Sequence, residues 1–485
     1  MNLSPRRPIF NRKSESNVYR AFFWVILALG GVWLIIQLER GLIKSPFQAA
    51  PPPTRTATSY ALEGAAQFTA GNLDAAIAAY KQAVLLNPSD GDTMAELARI
   101  EVYSSSLLTS DADRGARLKE ALQSAQQAVS AAPDDSTAHA VYAFALDWNA
   151  DTGLVSEDQA QGYLTQADQE AVRALQLDAT NTLALAFYAE ILVDEQKWTQ
   201  AEQYIQQAVD RDPSLMDVHR VYAYVLESLG EYNLAIQEYD KAIAITPKLT
   251  FLYLRAGANY RQLGFSSLND VTQRQLFGSS LTYFAKAAAI NDELQIKDPT
   301  PYLSIAKTYS QEGEYFIAAR NVQKALEFQP DNPDFYGQLG YIYFKSRNYE
   351  GSIPALQCAV VGCSGVDSCS GRGLDGCDDA HPPVQVTGLP LTLGSIDYYQ
   401  VYFSVLAALG PRDPGYCPRA QSIIVMVRAS GYEQQRPDIT ANVSAAELEC
   451  APGALTPPTA TATSRAVFPT QIPTSTPYPT PTSAP

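Results

Sequence analysis

The sequence is short of the residues that most enzymes use for chemistry. Its 485 residues include only three histidines, and the six cysteines all lie at or after Cys358. It has no G-x-S-x-G, no H-E-x-x-H and no glycine-rich phosphate loop. We therefore predict no catalytic residues, no metal and no cofactor, and we expect that the chain is not an enzyme. His139 and His219 are expected to lie at the surface or between neighbouring helical units of the chain.

Basic residues are also scarce. The chain has 35 Lys and Arg against 51 Asp and Glu, which gives a net charge of −16. A protein that binds nucleic acid needs a positively charged face for the phosphates. The balance therefore argues against a nucleic-acid partner, although an acidic chain by itself names no other partner.

Charge is missing altogether from residues 21–38, which form an apolar run of 18 residues. As a helix this run is about 27 Å long, at roughly 1.5 Å per residue, which is enough to span a bilayer. Four arginines and a lysine precede it, so residues 1–20 are predicted to stay in the cytoplasm and the bulk of the chain to be extracytoplasmic. A cleaved signal peptide is the alternative, but no small-x-small cleavage site follows the run. We predict a signal anchor, followed by a proline-rich spacer over residues 39–56.

A pattern of small and bulky residues recurs along residues 57–361 with a basic spacing of 34 residues. The stretch from Met216 to Pro247 is predicted to form two helices. It has small residues at Ala223, Gly230 and Ala235, and Pro247 ends the second helix. Eight such units follow one another. Three of them carry extra residues, at 104–117, 149–162 and 265–278, which are predicted to lengthen the turn between the two helices.

This pattern resembles the tetratricopeptide repeat (TPR), in which pairs of helices stack into a solenoid. The resemblance implies an all-α fold of about nine helix pairs. Eight pairs lie in residues 57–361, and residues 395–450 hold a divergent pair and cap. A capping-box pattern at Ser444–Glu447 suggests that one short final helix starts there. Residues 451–485, rich in Thr and Pro, are predicted to be disordered.

In the TPR family, ligands lie along the concave face formed by the first helix of each unit. Carried onto this chain, the family's groove positions predict a partner-binding surface with a basic strip beside aromatic residues. The alternative is that these side chains are solvated or pack between repeats. Tyr239 is expected on the convex side, and the carboxylate clamp of chaperone-binding members is absent. The predicted groove residues are Arg220, Tyr224, Glu227, Arg255, Arg261, Lys307, Tyr341 and Phe344.

The cysteines cluster around a Gly- and Asp-rich loop at residues 362–394. An even number of cysteines in a loop-rich extracytoplasmic region predicts three disulfides. We expect Cys417 to pair with Cys450 and the other four, Cys358, Cys363, Cys369 and Cys377, to pair with one another. The alternative is a metal site of these cysteines with the nearby aspartates and His381, but no C-x-x-C knuckle supports it.

Together these features predict a non-catalytic, membrane-anchored TPR scaffold that binds a protein or peptide segment in its groove, for assembly of a cell-envelope complex. Its contact with the membrane is predicted to run through residues 21–38. Two alternatives stay open: a self-associating subunit of a surface filament or sheath, and a TPR adaptor for a metal-dependent module in the Cys/Asp loop.

Overall fold

The computed structural model describes residues 17–40 and 55–451, in two units that divide after Arg55. Most of the predicted cytoplasmic tail, most of the proline-rich spacer and the Thr/Pro-rich tail from residue 452 lie outside the described residues. The first unit contributes one helix, α1 (Val18–Glu39). Within the described part of the chain it is the one helix long and apolar enough to cross a membrane, over Val18–Gln37.

The second unit is an α-solenoid that begins with eight antiparallel helix pairs, which we number units 1 to 8. The pairs are α2 (Ala57–Thr69) and α3 (Leu73–Leu86); α4 (Gly91–Ser105) and α5 (Asp111–Ala131); α6 (Ser136–Asn149) and α7 (Glu157–Leu177); α8 (Thr182–Asp194) and α9 (Trp198–Arg211); α10 (Met216–Ser228) and α11 (Tyr232–Ile245); α12 (Thr250–Ser266) and α13 (Asp270–Leu294); α14 (Thr300–Glu312) and α15 (Tyr315–Phe328); and α16 (Pro333–Lys345) and α17 (Tyr349–Val360).

Small residues let the two helices of a unit touch. A Cβ built on Gly64 would lie 2.4 Å from the Tyr80 ring, and one on Gly257 would lie 2.6 Å from the Phe284 ring. These distances are far below van der Waals contact, so only glycine fits under a bulky residue of the second helix. The spacing of small and bulky residues in the sequence is therefore a packing pattern.

The extra residues of units 2, 3 and 6 are mostly helical, which corrects the prediction of lengthened turns. Helices α5 and α7 have 21 residues each and α13 has 25, against 14 for α9 and α11. Side chains of Ser110, Ser156 and Asn269 cap the three long helices at their first turns. The caps start each second helix early, so the insertion lengthens the helix more than the turn.

The solenoid curls tightly enough for distant units to touch. A Cβ on Gly71 in unit 1 would lie 2.2 Å from the carbonyl oxygen of Lys248, which follows α11 of unit 5. Thr109 of unit 2 donates a hydrogen bond of 2.6 Å to Gln329 at the end of unit 7. The concave faces of the first helices therefore surround an interior space.

Residues 362–394 form an ordered insertion. Strands β1 (Gly362–Cys363) and β2 (Val386–Thr387) pair antiparallel, with Gly362 opposite Thr387, and helix α18 (Gly365–Gly371) lies between them in sequence. The predicted ninth pair follows as α19 (Ile396–Ala408) and α20 (Tyr416–Ser430), and after a 3₁₀ turn (Tyr432–Gln434) the chain ends its described part in α21 (Pro437–Glu449).

The predicted start of the last helix at Ser444 is wrong. Helix α21 begins at Pro437, whose fixed φ suits the first turn of a helix. Ser444 lies in the middle of the helix, and its hydroxyl donates to the carbonyl of Thr440 at 2.9 Å. The Ser-x-x-Glu pattern is therefore not a cap here.

Three cysteine pairs lie at disulfide distance. Cys358 in α17 joins Cys363 of the insertion, Cys369 joins Cys377 within the insertion, and Cys417 joins Cys450 across 33 residues. The last pair ties the start of α20 to the end of α21, as predicted from the sequence. Among the described residues no cysteine is free.

Candidate binding cavity

The concave face encloses a cavity of about 1620 Å³. Its wall comes mainly from α4, α6, α8, α10 and α12, the first helices of units 2 to 6, with the first half of α5 and one residue each of α7, α9 and α11. The turns after α4 and α6 and two C-terminal segments, within 329–334 and 389–395, complete it. The side chains of the first helices that carry the argument below are Tyr103, Asp147, Trp148, Glu190, Asp194, Arg220, Tyr224 and Arg255.

Arg220 lies in the centre of this wall and is 6% exposed. Its guanidinium binds both carboxylate oxygens of Glu190, with the Nη1–Oε1 distance 2.8 Å, and its Nε donates to the Tyr103 hydroxyl at 3.2 Å. Trp148 adds a hydrogen bond from its indole nitrogen to Glu190 at 3.1 Å. Burial alone would lower the pKa of Arg220, but Glu190 holds it well above the usual value. A bidentate pair of this kind fixes both side chains.

A second buried ion pair joins units 2 and 5. Arg99 donates from Nη1 to both carboxylate oxygens of Asp217, each at 3.0 Å, and the Tyr103 hydroxyl donates to the same carboxylate. Burial alone would raise the pKa of Asp217, but the charge of Arg99 and the bond from Tyr103 hold it below its usual value. Two units lie between the partners in sequence, so their contact depends on the tight curvature of the solenoid.

A third pair lies deeper in units 5 and 6. Arg255 donates to Glu227 at 2.7 Å, and Asn259 and Tyr239 donate to the other carboxylate oxygen at 2.9 and 3.2 Å. Burial alone would lower the pKa of Arg255, but Glu227 raises it. With both its oxygens occupied, Glu227 lies behind the cavity wall.

Asp147 and Asp194 form a carboxyl pair within hydrogen-bonding reach of each other. Burial raises the pKa of both groups, that of Asp194 to about 7, and the charge of Glu190 adds to the effect. Tyr224 donates to Asp194 at 2.5 Å and partly opposes this rise. At neutral pH the pair therefore holds a shared proton, because two adjacent buried carboxylates cannot both ionise cheaply.

The predicted groove residues separate into two groups. Arg220, Tyr224 and Arg255 line the cavity, with Glu227 directly behind. The other four lie outside the cavity wall, in units 6 to 8: Arg261, Lys307, Tyr341 and Phe344.

Arg261 and Lys307 lie close together between units 6 and 7. Arg261 donates to the carbonyl of Ser304 at 3.2 Å and lies over the Phe284 ring. Burial lowers the pKa of Lys307 to about 7, and the charge of Arg261 adds to the effect. Tyr341 and Phe344, 1% and 7% exposed, pack in the C-terminal core with α19.

Two members of the predicted basic strip, Arg220 and Arg255, are held in ion pairs on this face. Arg220 and Arg255 are neutralised by Glu190 and Glu227, which lie on the first helices of the preceding units. Tyr239 was misplaced on the convex side, since it is 1% exposed and lines the cavity. The physical reason for the ion pairs is that carboxylates and arginines on the first helices of adjacent units face each other and are removed from water together.

The histidines fasten neighbouring helices to each other. In His139, Nδ1 lies 2.6 Å from Glu170 and Nε2 lies 3.0 Å from the carbonyl of Pro133. His219 repeats this arrangement with Glu238 at 2.7 Å and the carbonyl of Pro213 at 2.8 Å. Both are buried inter-repeat residues, the second of the two roles expected from the sequence.

Several residues of the site were not singled out in the sequence. Arg99 and Glu190 occupy the position in units 2 and 4 that Tyr224 occupies in unit 5. Tyr103, Trp148 and Asp194 share another position, at the end of the first helix. Both are groove positions of the TPR family. The same positions that predicted groove residues in units 5 to 8 would therefore have identified these five residues in units 2 to 4.

The described residues offer little support for the metal alternative. Cys358 of α17 and the three cysteines of the insertion form two disulfide pairs, so no thiolate of the loop is left as a ligand. Within the described residues no group of three His, Cys, Asp or Glu side chains is arranged to hold a metal ion.

Comparisons with known proteins agree with the repeat pattern. Family models described as tetratricopeptide repeat match residues 57–90, 188–250 and 322–353. The match over residues 57–90 covers unit 1, and the match over residues 188–250 covers most of units 4 and 5.

Similar solved structures include a thermophilic TPR protein of Thermus thermophilus, with 19% identity, 42% of this chain and 98% of that chain covered, and a TM-score of 0.35. The human IFIT1 dimer with PPP-AAAA has 14% identity, 82% and 91% coverage, and a TM-score of 0.49. PilW, a type IV pilus biogenesis factor, has 20% identity, 42% and 88% coverage, and a TM-score of 0.35. The three family matches fall in units 1, 4–5 and 7–8, so these parts of the chain contain tetratricopeptide repeats.

Proposed function

We propose that this chain is a non-catalytic, membrane-anchored scaffold that holds a protein or peptide segment of a partner inside its concave cavity. The observation that carries the proposal is the cavity of about 1620 Å³, walled by the first helices of five consecutive units. A cavity of this size is larger than the 300–1,000 Å³ or so of a typical small-molecule site, and suits several residues of an extended chain.

The location is part of the same proposal. Helix α1 is long and apolar enough to act as a membrane anchor, and arginines precede it. Three disulfides indicate an oxidising compartment for the solenoid, because cytosolic thiols stay reduced. An extracytoplasmic solenoid held at the membrane is suited to assembling a cell-envelope complex, which is the role we propose.

Photo-crosslinking in the native membrane tests the proposal. Leu393 lines the cavity and is 48% exposed, so a photoreactive residue there faces any bound segment. Leu234 on α11 is 45% exposed and lies outside the cavity wall, which makes it a matched control.

We expect a discrete crosslinked protein from position 393 and none from position 234. Crosslinks to a second copy of this chain would favour the filament or sheath hypothesis instead. Equal, diffuse crosslinking at both positions, or none at either, would contradict binding in the cavity.

A further inference from the structure

The cavity wall has more carboxylates than cations. Eight Asp and Glu residues and three arginines line it. Each arginine already forms an ion pair with a carboxylate of the protein: Arg114 with Asp151, Arg220 with Glu190, and Arg255 with Glu227. The arginines are therefore occupied, and the unbalanced charge of the wall is negative.

Asp147 is the carboxylate with an unused acceptor. It is 4% exposed, lines the cavity, and its Oδ1 has no hydrogen-bond partner among the described residues. Its neighbour Asp194 already accepts from Tyr224. A buried acceptor without a donor is uncommon in proteins and often marks a place where a ligand supplies the missing group.

We propose that the Asp147–Asp194 pair binds the ammonium or guanidinium group of a lysine or arginine side chain on the partner's segment. This assignment rests on the proposed function, because it names the chemistry of the segment that the cavity would hold. A nitrogen cation brings several N–H donors, so it satisfies Oδ1 of Asp147 and bonds to Asp194 as well.

Binding would exchange one cation for another. In the empty cavity the shared proton neutralises one of the two carboxyl groups, because burial raises the pKa of both. When the ligand's cation enters, that proton leaves to solvent and both groups become carboxylates beside the positive charge. No bond other than this O–H bond breaks, and the net charge of the site is conserved.

The surrounding groups allow this exchange. Glu190 on α8 faces the pair but is bound by Arg220 of α10, so the two charges cancel locally. Arg255 of α12 is held by Glu227, and Tyr224 can only donate to a carboxylate. Trp148, next to Asp147, adds an aromatic side chain to the wall, which is a favourable neighbour for a cation.

An acidic segment suits the cavity poorly. To bind a carboxylate, Arg220 or Arg255 would have to release Glu190 or Glu227 and leave that residue buried without its partner. From the sequence alone, Arg220 and Arg255 predict a site that binds carboxylate ligands. Because Glu190 and Glu227 already bind them, they are not available to such a ligand.

Titration calorimetry on the full chain in non-ionic detergent tests the inference. The probes are an extended peptide of five Lys-Ser repeats, its Glu-Ser counterpart, a neutral Gly-Ser peptide and spermine. Running each titration in two buffers of different ionisation enthalpy counts the protons released. We expect the lysine peptide to bind with release of up to about one proton at pH 7, and with higher affinity at pH 8 than at pH 6.

Asp147→Asn is the key variant, because the amide has the shape of the protonated carboxyl but cannot ionise. We expect it to weaken binding of the lysine peptide by about tenfold and to abolish proton release. Asp210→Asn is the matched control, since Asp210 is exposed on α9 and outside the cavity wall. Thermal unfolding of both variants should match that of the parent chain, which separates a binding effect from misfolding.

The possible failures are distinguishable. If the acidic or neutral peptide binds as well as the lysine peptide, or if Asp147→Asn changes nothing, the cationic assignment is overturned while peptide binding stands. If no peptide binds, the proposed function falls with it. If spermine binds but the peptides do not, the site takes a cation that is not part of a partner segment, and the assignment is again overturned.

Discussion

Units 1 to 6 and the region from unit 7 to α21 use the same helix pair but are stabilised differently. The first region packs around alanines and joins its concave faces through buried arginine–carboxylate pairs, and it contains no cysteine. The second packs around tyrosines, with Tyr336, Tyr341, Tyr398, Tyr399 and Tyr402 all at most 1% exposed, and carries all three disulfides.

The difference separates a region that can hold a polar cavity from one that closes the stack. Buried ion pairs join the first helices of units 2, 4, 5 and 6 around the cavity. Large aromatic side chains fill the corresponding space in the C-terminal region, where covalent links replace the neighbouring unit that is missing at the end of a solenoid.

Removing one partner of a buried pair should give the largest effect. Glu190→Ala leaves the Arg220 guanidinium buried without its main partner, and we expect the free energy of unfolding to fall by about 3–5 kcal/mol. Glu350→Ala in the C-terminal region is the control, since it breaks a pair with Arg412 whose side chains are 73% and 68% exposed. Urea unfolding followed by circular dichroism should detect no change for the control. Equal losses in both variants would show that the concave pairs are not special.

Removing the disulfide that closes the longest loop should have the second-largest effect on stability, and only in the C-terminal region. Cys417→Ser with Cys450→Ser releases a loop of 33 residues, which by loop entropy is worth about 3–4 kcal/mol. Hydrogen exchange should accelerate in α19 to α21 and stay unchanged in α4 to α12. Replacing Cys358 and Cys363 by serine should have a smaller effect, because these cysteines are only five residues apart. Faster exchange throughout the solenoid would mean that the two regions unfold as one.

These two regions also differ in how far the sequence predicts them. Helix pairs and their order follow from local spacing, since each unit carries its own small residues, bulky residues and proline. The curvature does not, because it depends on contacts such as Arg99 with Asp217, which are 118 residues apart. No single unit contains both partners of that contact.

The same limit explains the site. Position within a unit predicted that Arg220, Tyr224 and Arg255 lie on the concave face, and they do line the cavity. Whether a concave side chain meets solvent or an ion-pair partner depends on which residue another unit places opposite it, 30 residues away for Arg220 and 28 for Arg255. The sequence therefore placed these three residues on the concave face but did not predict that Glu190 and Glu227 neutralise the two arginines. The early start of α21 at Pro437 is a different kind of error, in which proline at the first turn outweighed a capping box.

A pair of matched glycines tests the closure of units 1 to 6. Gly71 and Gly230 occupy the same turn in units 1 and 5, with φ of +81° and +80°. Alanine at either position costs about 1–2 kcal/mol for the left-handed conformation. At Gly71 the new Cβ also meets the carbonyl of Lys248, whereas nothing lies within 4 Å of one at Gly230. We expect Gly71→Ala to be the more destabilising by about 1 kcal/mol in urea unfolding. Equal losses would show that units 1 and 5 do not touch in solution.

The smallest effect is expected at Lys307, where the two regions meet, and its dependence on pH is diagnostic. Burial and Arg261 lower the pKa of this amine from 10.5 to about 7 in the folded chain. Because the unfolded chain binds the proton more tightly, folding is penalised fully below about pH 7, and the penalty fades as pH rises towards 10.5. Lys307→Met should therefore raise the free energy of unfolding by about 1 kcal/mol at pH 6, after allowance for the partly exposed side chain, and by less at pH 9. Lys286→Met, at an exposed lysine on the neighbouring α13, is the control for loss of a surface charge and should leave the free energy of unfolding nearly unchanged at pH 6. A gain that is the same at both pH values would mean that the amine at Lys307 stays charged, so that the junction of the two regions is open to water.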